Sequence, residues 1–371
     1  MKPLSEMRIL YLSDVNSSHT QKWAIALASE GFQVGIFSLS LPEYDWFTEK
    51  GIKLFTGIPL KKGSFNSTEI GKIKYLLSFK KLRKAISEFS PEIVHAHYAT
   101  SYGLLGRLSR FHPFFISVWG SDVLKYPTKS FFHKWILKKN LLAAEQLFST
   151  SKTLYDEVMK VVKKESLIIP FGIDTSVFKP VKRKNIFEED ALVIGTIKSL
   201  EKNYCIDILI KSFAILYHKY PSLRLRMLIV GGGREEINLK ALAENLGIKD
   251  SVRFTGKIRH QDIVEYHNEI DIFANLSEYE SFGVTVLEAS ACAKPVVVTD
   301  TGGLREVVSN NESGILVPVR NVNATVDAIE KLILDEPMRI KMGDRGRKRV
   351  IEKYEWKNSL QKMIQIYQQY E

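Results

Sequence analysis

Cysteine is nearly absent: Cys205 and Cys292 are the only two in 371 residues. That excludes a disulfide framework and a four-cysteine zinc site, and it suits a reducing compartment. Long apolar runs are missing as well, and none approaches the roughly 20 residues needed to span a bilayer. The opening MKPLSEMRILYLSDV has neither the apolar region nor the small-residue cleavage site of a secretory leader. A cytoplasmic protein is therefore expected, with any membrane contact peripheral and on the inner face. Repeats and low-complexity tracts are absent, and 45% hydrophobic with 26% charged residues excludes a disordered or fibrous chain.

Acidic residues are also in deficit, 42 against 53 basic, for a net charge of +11. The excess gathers in KKGSFNSTEIGKIKYLLSFKKLRKAI (61–86) and KYPTKSFFHKWILKK (125–139). Such clusters favour an anionic partner: phospholipid, nucleic acid or a phosphorylated substrate. The aromatic and apolar residues Phe65, Tyr75, Leu76 and Phe79 in the first cluster, and Phe131 and Trp135 in the second, favour an anionic membrane surface. No nucleic-acid-binding motif is present, so no nucleic-acid partner is expected.

What is present is alternation. RILYLSD (8–14), QKWAIALASEG (21–31) and FQVGIFSL (32–39) read as strand, helix, strand. EIVHAH (92–97), FFISVWG (114–120) and LIIP (167–170) continue the series, as unalternating runs that suit a parallel sheet covered on both faces. PFGIDTSVFKPVKRKN (170–185) interrupts it with prolines, a glycine and basic residues, and reads as a linker. The alternation resumes in ALVIGTIKSL, LRMLIVGGG, SVRFTG, DIFANLS, KPVVVTDTGG and SGILVP. Two α/β domains are predicted, residues 1–178 and 179–355, with a terminal helix over 356–371 packing back on the first. The triple glycine of VGGGREE (230–236) reads as a strand-to-helix turn, since the G-x-G-x-x-G spacing is incomplete.

Ligands of open parallel sheets bind beyond the carboxyl ends of the strands. EYESFG (278–283) follows the strand DIFANLS and opens a helix, whose exposed N–H groups favour phosphate. Glu280 precedes Gly283 and Glu288 lies more than one turn into the helix, so two carboxylates suited to hydroxyl pairs flank a glycine that lets a pyrophosphate approach. Two glutamates beside two phosphates repel strongly and need cations. Lys198 and Lys202, after the first strand of the same domain, are placed to neutralise a leaving diphosphate. No Asp-x-Asp pair sits in a comparable loop, so no metal is expected. His97 ends a strand of the first domain as a candidate functional residue, and His95 reads as structural.

Glu280 and Glu288 at E-x7-E spacing, the lysine pair, TDTGGLREVV (299–308), PFGIDTSVF (170–178), HAHYATSYGLLG and SVWGSDVL together resemble glycosyltransferase family 4 over nearly the whole chain. The resemblance implies a GT-B fold, two Rossmann-like domains facing across a cleft. It implies a retaining, metal-independent hexosyltransferase that uses a nucleoside diphosphate sugar, UDP-sugar favoured over GDP-sugar, with no cofactor. Glu288 would hold the ribose and Glu280 the sugar hydroxyls. The N–H groups around Phe282, Gly283 and Val284, with Lys198 and Lys202, would hold the diphosphate. Glu280, the lysines, His97 and Asp122 are the implied catalytic set, and a glycan or polyprenol-linked acceptor would bind the first domain.

Three positions depart from the family pattern. Lys198 replaces the commoner arginine, and Trp119 stands where many relatives carry histidine. SDVNSSHTQKW lacks a Gly-Gly pair, leaving Asn16, Ser17 and Ser18 to line the acceptor side with Trp119. A phosphorylase, a nucleotide-sugar epimerase and a basic nucleic-acid-binding or scaffold protein are the competing readings.

Overall fold

The computed structural model describes residues 4–58, 69–184, 186–188, 190–259 and 262–370, and of residues 69–76 the backbone alone. Two compact units divide the chain: Met1–Phe171 with Asn358–Glu371, and Gly172–Lys357.

The first unit holds seven strands, β1 (Arg8–Leu12), β2 (Gln33–Ser38), β3 (Lys53–Thr56), β4 (Ile93–His97), β5 (Phe114–Val118), β6 (Gln146–Ser149) and β7 (Leu167–Ile168). They form one sheet in the order β3-β2-β1-β4-β5-β6-β7, every neighbouring pair parallel. Residues of β1, β4 and β5 are buried almost without exception, because helices cover both faces and no polar alternation is needed. Leu10, Leu12, Val94, Ile116 and Leu147 from the strands meet Leu82, Leu105, Leu137 and Leu154 from helices in one core.

In the second unit, β8 (Leu192–Ile197), β9 (Leu225–Val230), β10 (Val252–Phe254), β11 (Ile272–Asn275), β12 (Val296–Thr299) and β13 (Gly314–Val317) form a parallel sheet ordered β10-β9-β8-β11-β12-β13. Ile194, Met227, Ile229, Ile272 and Val297 pack there with Leu209, Phe213, Ile329 and Leu332. Both sheets are doubly wound, as the alternation predicts. The order reverses between β1 and β4 in one and between β8 and β11 in the other, and such switch points open a crevice at the carboxyl ends of the strands.

Two strands, β3 (KLFT) and β6 (QLFS), are not signalled in the sequence, since each mixes polar ends with only two apolar residues and forms no apolar run. The segment read as a linker is largely bound to the second unit. Ile173 bridges to Glu355, Val181 N–H donates to Asn268 Oδ1 at 2.9 Å, and Arg183 pairs with Asp271. The terminal helix, Trp356–Gln368, has its residues from Asn358 onward in the first unit. There the Tyr367 hydroxyl lies 2.6 Å from His95 Nδ1 and 3.2 Å from the Tyr11 hydroxyl, while Ser117 Oγ occupies His95 Nε2 at 2.8 Å. His95 is thus structural, and burial depresses its pKa to about 3.

Candidate functional site

Four loops converge at the carboxyl ends of β8, β9, β11 and β12 in the second unit. The β8 loop continues the sheet past its last strand residue: Lys198 N–H donates to Val230 O at 2.9 Å and Leu200 N–H to Gly232 O at 3.1 Å. This pairing runs so close that a Cβ on Gly231 would lie 2.0 Å from the Lys198 carbonyl oxygen and one on Gly233 2.3 Å from that of Leu200, which explains the glycines at those two positions. The 276–283 loop is held from the other side. Thr299 Oγ1 donates to Ser277 O at 2.6 Å, Thr301 Oγ1 to Glu278 O at 3.1 Å, and Gly303 N–H to Glu280 O at 2.8 Å. Gly302, at φ +46°, leaves room for that carbonyl; a Cβ there would sit 2.1 Å from it. The TDTGG segment therefore acts as a backbone clamp on the acidic loop.

The clamp presents Glu280 to Lys198. Their side chains form an ion pair in which each is only 14% exposed, and the ammonium also lies 4.5 Å from the Tyr204 ring centre. Lys202 begins a short 3-10 turn, Lys202–Tyr204, with its side chain exposed and no carboxylate within salt-bridge distance among the described residues. Next to them Gly283, at φ +105°, caps the helix Val284–Ala291, and a Cβ at this position would meet Leu304 at 2.8 Å. The first amides of that helix have no intrahelical acceptor, and Thr285 adds a buried hydroxyl without a hydrogen-bond partner among the described residues. Phe282 is buried below, its ring 5.9 Å from that of Tyr354. Glu288, on the same helix, is 3% exposed, with Oε2 3.3 Å from His267 Nε2. The second sheet thus brings Lys198, Glu280, Gly283 and Val284 together at its switch point, with Lys202 on the rim.

The strand ends of the first unit are arranged otherwise. Asp122 is 1% exposed; its Oδ2 accepts from Ala99 N–H at 2.9 Å and its Oδ1 from Gly120 N–H at 2.9 Å and Trp119 N–H at 3.3 Å. Burial raises its pKa, against the pull of those amides. Asp122, expected in the catalytic set, ties the loop after β5 to the loop after β4. Asn16 is likewise engaged at both ends of its amide, donating to Leu41 O and accepting from Glu43 N–H, each at 2.8 Å. Ser17 precedes the helix Ser18–Ser29 half-buried, and Ser18 is exposed.

His97 is 2% exposed, with Nδ1 3.0 Å from Ser13 Oγ and its ring centre 4.3 Å from that of Trp119. Burial, aided by His95 and His19, holds its pKa well below 6.5, so the ring is neutral. Trp119 closes an aromatic group in which His19 stacks on Phe171 at 3.8 Å. Beneath it lies a small cavity of about 10 Å³, lined by His97, Ser117, Thr150 and Phe148.

Two residues of the second unit were missed in the sequence. Arg320, after β13, pairs with Glu278 beside the acidic loop, and His267 meets Glu288. Arg320 had a signal, its place after a strand; His267 had none, since the pairing depends on two helices meeting. Of the proposed membrane contacts, Phe65 lies outside the described residues, as do the side chains of Tyr75 and Leu76. Phe79 is half-buried against the core of the first unit, which corrects its assignment to a lipid surface. Phe131, Phe132 and Trp135 are 85%, 62% and 44% exposed on the helix Phe131–Ala143. No described helix is long and apolar enough to cross a membrane.

These observations define a class first: a protein of two doubly wound α/β units, one presenting cations and a helix N-terminus at its switch point. Residues 178–349 match the family model described as Glycosyl transferases group 1, and residues 8–151 match Glycosyl transferase 4-like. The D-inositol 3-phosphate glycosyltransferase of Corynebacterium jeikeium (strain K411) is 33% identical over 215 residues, which cover 54% of this chain and 51% of that one. The chain thus spans about half the length of the first curated relatives it matches. Sucrose-phosphate synthase from Thermosynechococcus elongatus shares the fold with a TM-score of 0.85 at 21% identity, over 98% of this chain and 99% of that one. Anabaena HepE in complex with UDP-glucose does so with a TM-score of 0.82 at 17% identity, over 98% and 100%. The chain belongs to glycosyltransferase family 4 and has the GT-B fold.

Proposed function

We propose that this protein transfers a hexose or N-acetylhexosamine from a nucleoside diphosphate sugar to a hydroxyl of a glycan or polyprenol-linked acceptor, with retention and without a metal. The observation that carries the reading is the Lys198–Glu280 ion pair at the switch point of the second sheet, beside the first turn of Val284–Ala291. A diphosphate at that helix N-terminus competes for the Lys198 ammonium, and Glu280 is then released to accept from sugar hydroxyls. Lys202 meets the phosphate from solvent, and Glu288 takes the ribose. In the transfer the bond from C1 to the phosphate oxygen breaks, the bond from C1 to the acceptor oxygen forms on the same face, and the acceptor proton passes to the departing phosphate. Stabilising the leaving diphosphate is the protein's main contribution.

UDP is the favoured donor nucleotide, a reading supported by the UDP-glucose held in the HepE structure. The acceptor is assigned to the strand ends of the first unit, where the half-buried His19 stacks on the buried Phe171 beside the buried Trp119. The exposed Phe131, Phe132 and Trp135, with the exposed Lys134, Lys138 and Lys139, support a peripheral position on the anionic inner face of the cell membrane. Thermal stability with saturating UDP, GDP and ADP, each with and without EDTA, tests the core of the reading. A ligand at about 100 times its Kd adds about 2.7 kcal/mol. A shift with one nucleotide that EDTA leaves intact is expected; no shift with any would overturn the donor site.

A further inference from the structure

We propose that His267 is the positioning residue for Glu288, fixing its carboxylate so that one oxygen is offered to the ribose of a bound nucleotide. The inference rests on the assignment of Glu288 to the ribose. The two residues come from different helices, His267 from Ile263–Glu269 and Glu288 from Val284–Ala291, and meet through Nε2 and Oε2 at 3.3 Å. Their side chains are 0% and 4% exposed.

An ionised carboxylate only accepts, so Nε2 carries the proton. In the neutral ring Nδ1 is then a bare acceptor, and it is buried with no hydrogen-bond partner among the described residues. Around the ring stand Phe178 and Phe273, with centres at 6.0 and 5.4 Å. A leucine or phenylalanine would fill such apolar surroundings without stranding a nitrogen, so packing alone does not account for an imidazole here. Its one hydrogen bond is to Glu288, and among the described residues the Glu288 carboxylate has no other side-chain partner. The aromatic walls hold the ring, the ring holds Oε2, and the carboxylate plane is thereby set. Oε1, which has no partner among the described residues, is the oxygen left for a ligand hydroxyl.

Calorimetric titration of the wild type, His267→Gln, His267→Asn and Glu288→Gln with UDP and 2′-deoxy-UDP, and with GDP and 2′-deoxy-GDP in parallel, tests this. The wild type should bind the ribose form of one nucleotide about tenfold more tightly than its deoxy form, the worth of one well-made hydrogen bond. His267→Gln places a side-chain N–H close to the position of Nε2 and should keep the preference. His267→Asn is too short to reach and should reduce it to within about twofold, with no further loss when combined with Glu288→Gln. If His267→Asn does not fold, His267→Phe, which keeps the ring volume, takes its place. A tenfold preference surviving in a folded variant overturns the positioning role and leaves the nucleotide site standing. A wild type that binds nucleotide but ignores the 2′-hydroxyl removes Glu288 from the ribose and this inference with it. A wild type that binds none of the four overturns the donor-site reading as well.

Discussion

The polar residues at the strand ends of the two units look alike in the sequence and are used in opposite ways. In the first unit Asp122 and His97 are buried and Asn16 is half-buried, and each is engaged by backbone groups or by a neighbouring hydroxyl. In the second unit backbone bonds and glycines do the fixing, through Gly302, Gly303 and Gly231, while Lys198 and Glu280 pair with each other and Lys202 is exposed. Where main chain supplies the scaffold, side chains remain available for chemistry. Where side chains supply it, their polar atoms are spent on the fold.

Five perturbations test this contrast, from the largest expected effect downward. Glu280→Gln and Lys202→Ala should each lower kcat by about 10²-fold or more with little change in melting temperature, as loss of a charge-stabilising contact does. Near-normal turnover in both would remove the chemistry from the second unit. Gly302→Ala comes next: its Cβ, 2.1 Å from Glu280 O, forces the clamp apart and should destabilise the fold by about 1–3 kcal/mol, with activity falling in parallel. Urea unfolding and a rate assay on the same sample read both effects.

Asp122→Asn should cost about 1–3 kcal/mol, because an amide nitrogen then faces backbone N–H donors. Lost turnover at unchanged stability in that variant would reverse the contrast. The smallest effect concerns pH. His95 and His97 are neutral when folded because burial depresses their pKa, whereas the unfolded chain binds their protons below the ordinary value of 6.5. Their contribution is therefore fully present above that pH and is lost as pH falls, for His95 down to about 3. Each contributes a slope of about 1.4 kcal/mol per pH unit. Unfolding at pH 7.5 and 5.5 should show a shallower decline in His95→Gln.

The sequence was most legible where periodicity or backbone chemistry decided the outcome. Eleven of the thirteen strands lie in apolar runs such as ALVIGTIKSL and KPVVVTDTGG, and Glu280, Lys198 and Gly283 lie at the switch point because motif and strand end coincide. Burial was less legible. Nothing local distinguishes Asp122, caged by amides, from an acid facing a cleft, or Phe79, half-buried, from Phe131, exposed. Those differences arise from which helices pack together, as does the meeting of His267 with Glu288.

The hydroxyl of Tyr367, between His95 and Tyr11, has a consequence for synthesis. Residues 8–12 and 367 belong to one packed unit, yet the whole of Gly172–Lys357 is translated between them. The second unit has all its residues before Tyr367 is added, whereas the core of the first stays incomplete until that residue is made. Of the two units, the first begins before the second in synthesis and is completed after it.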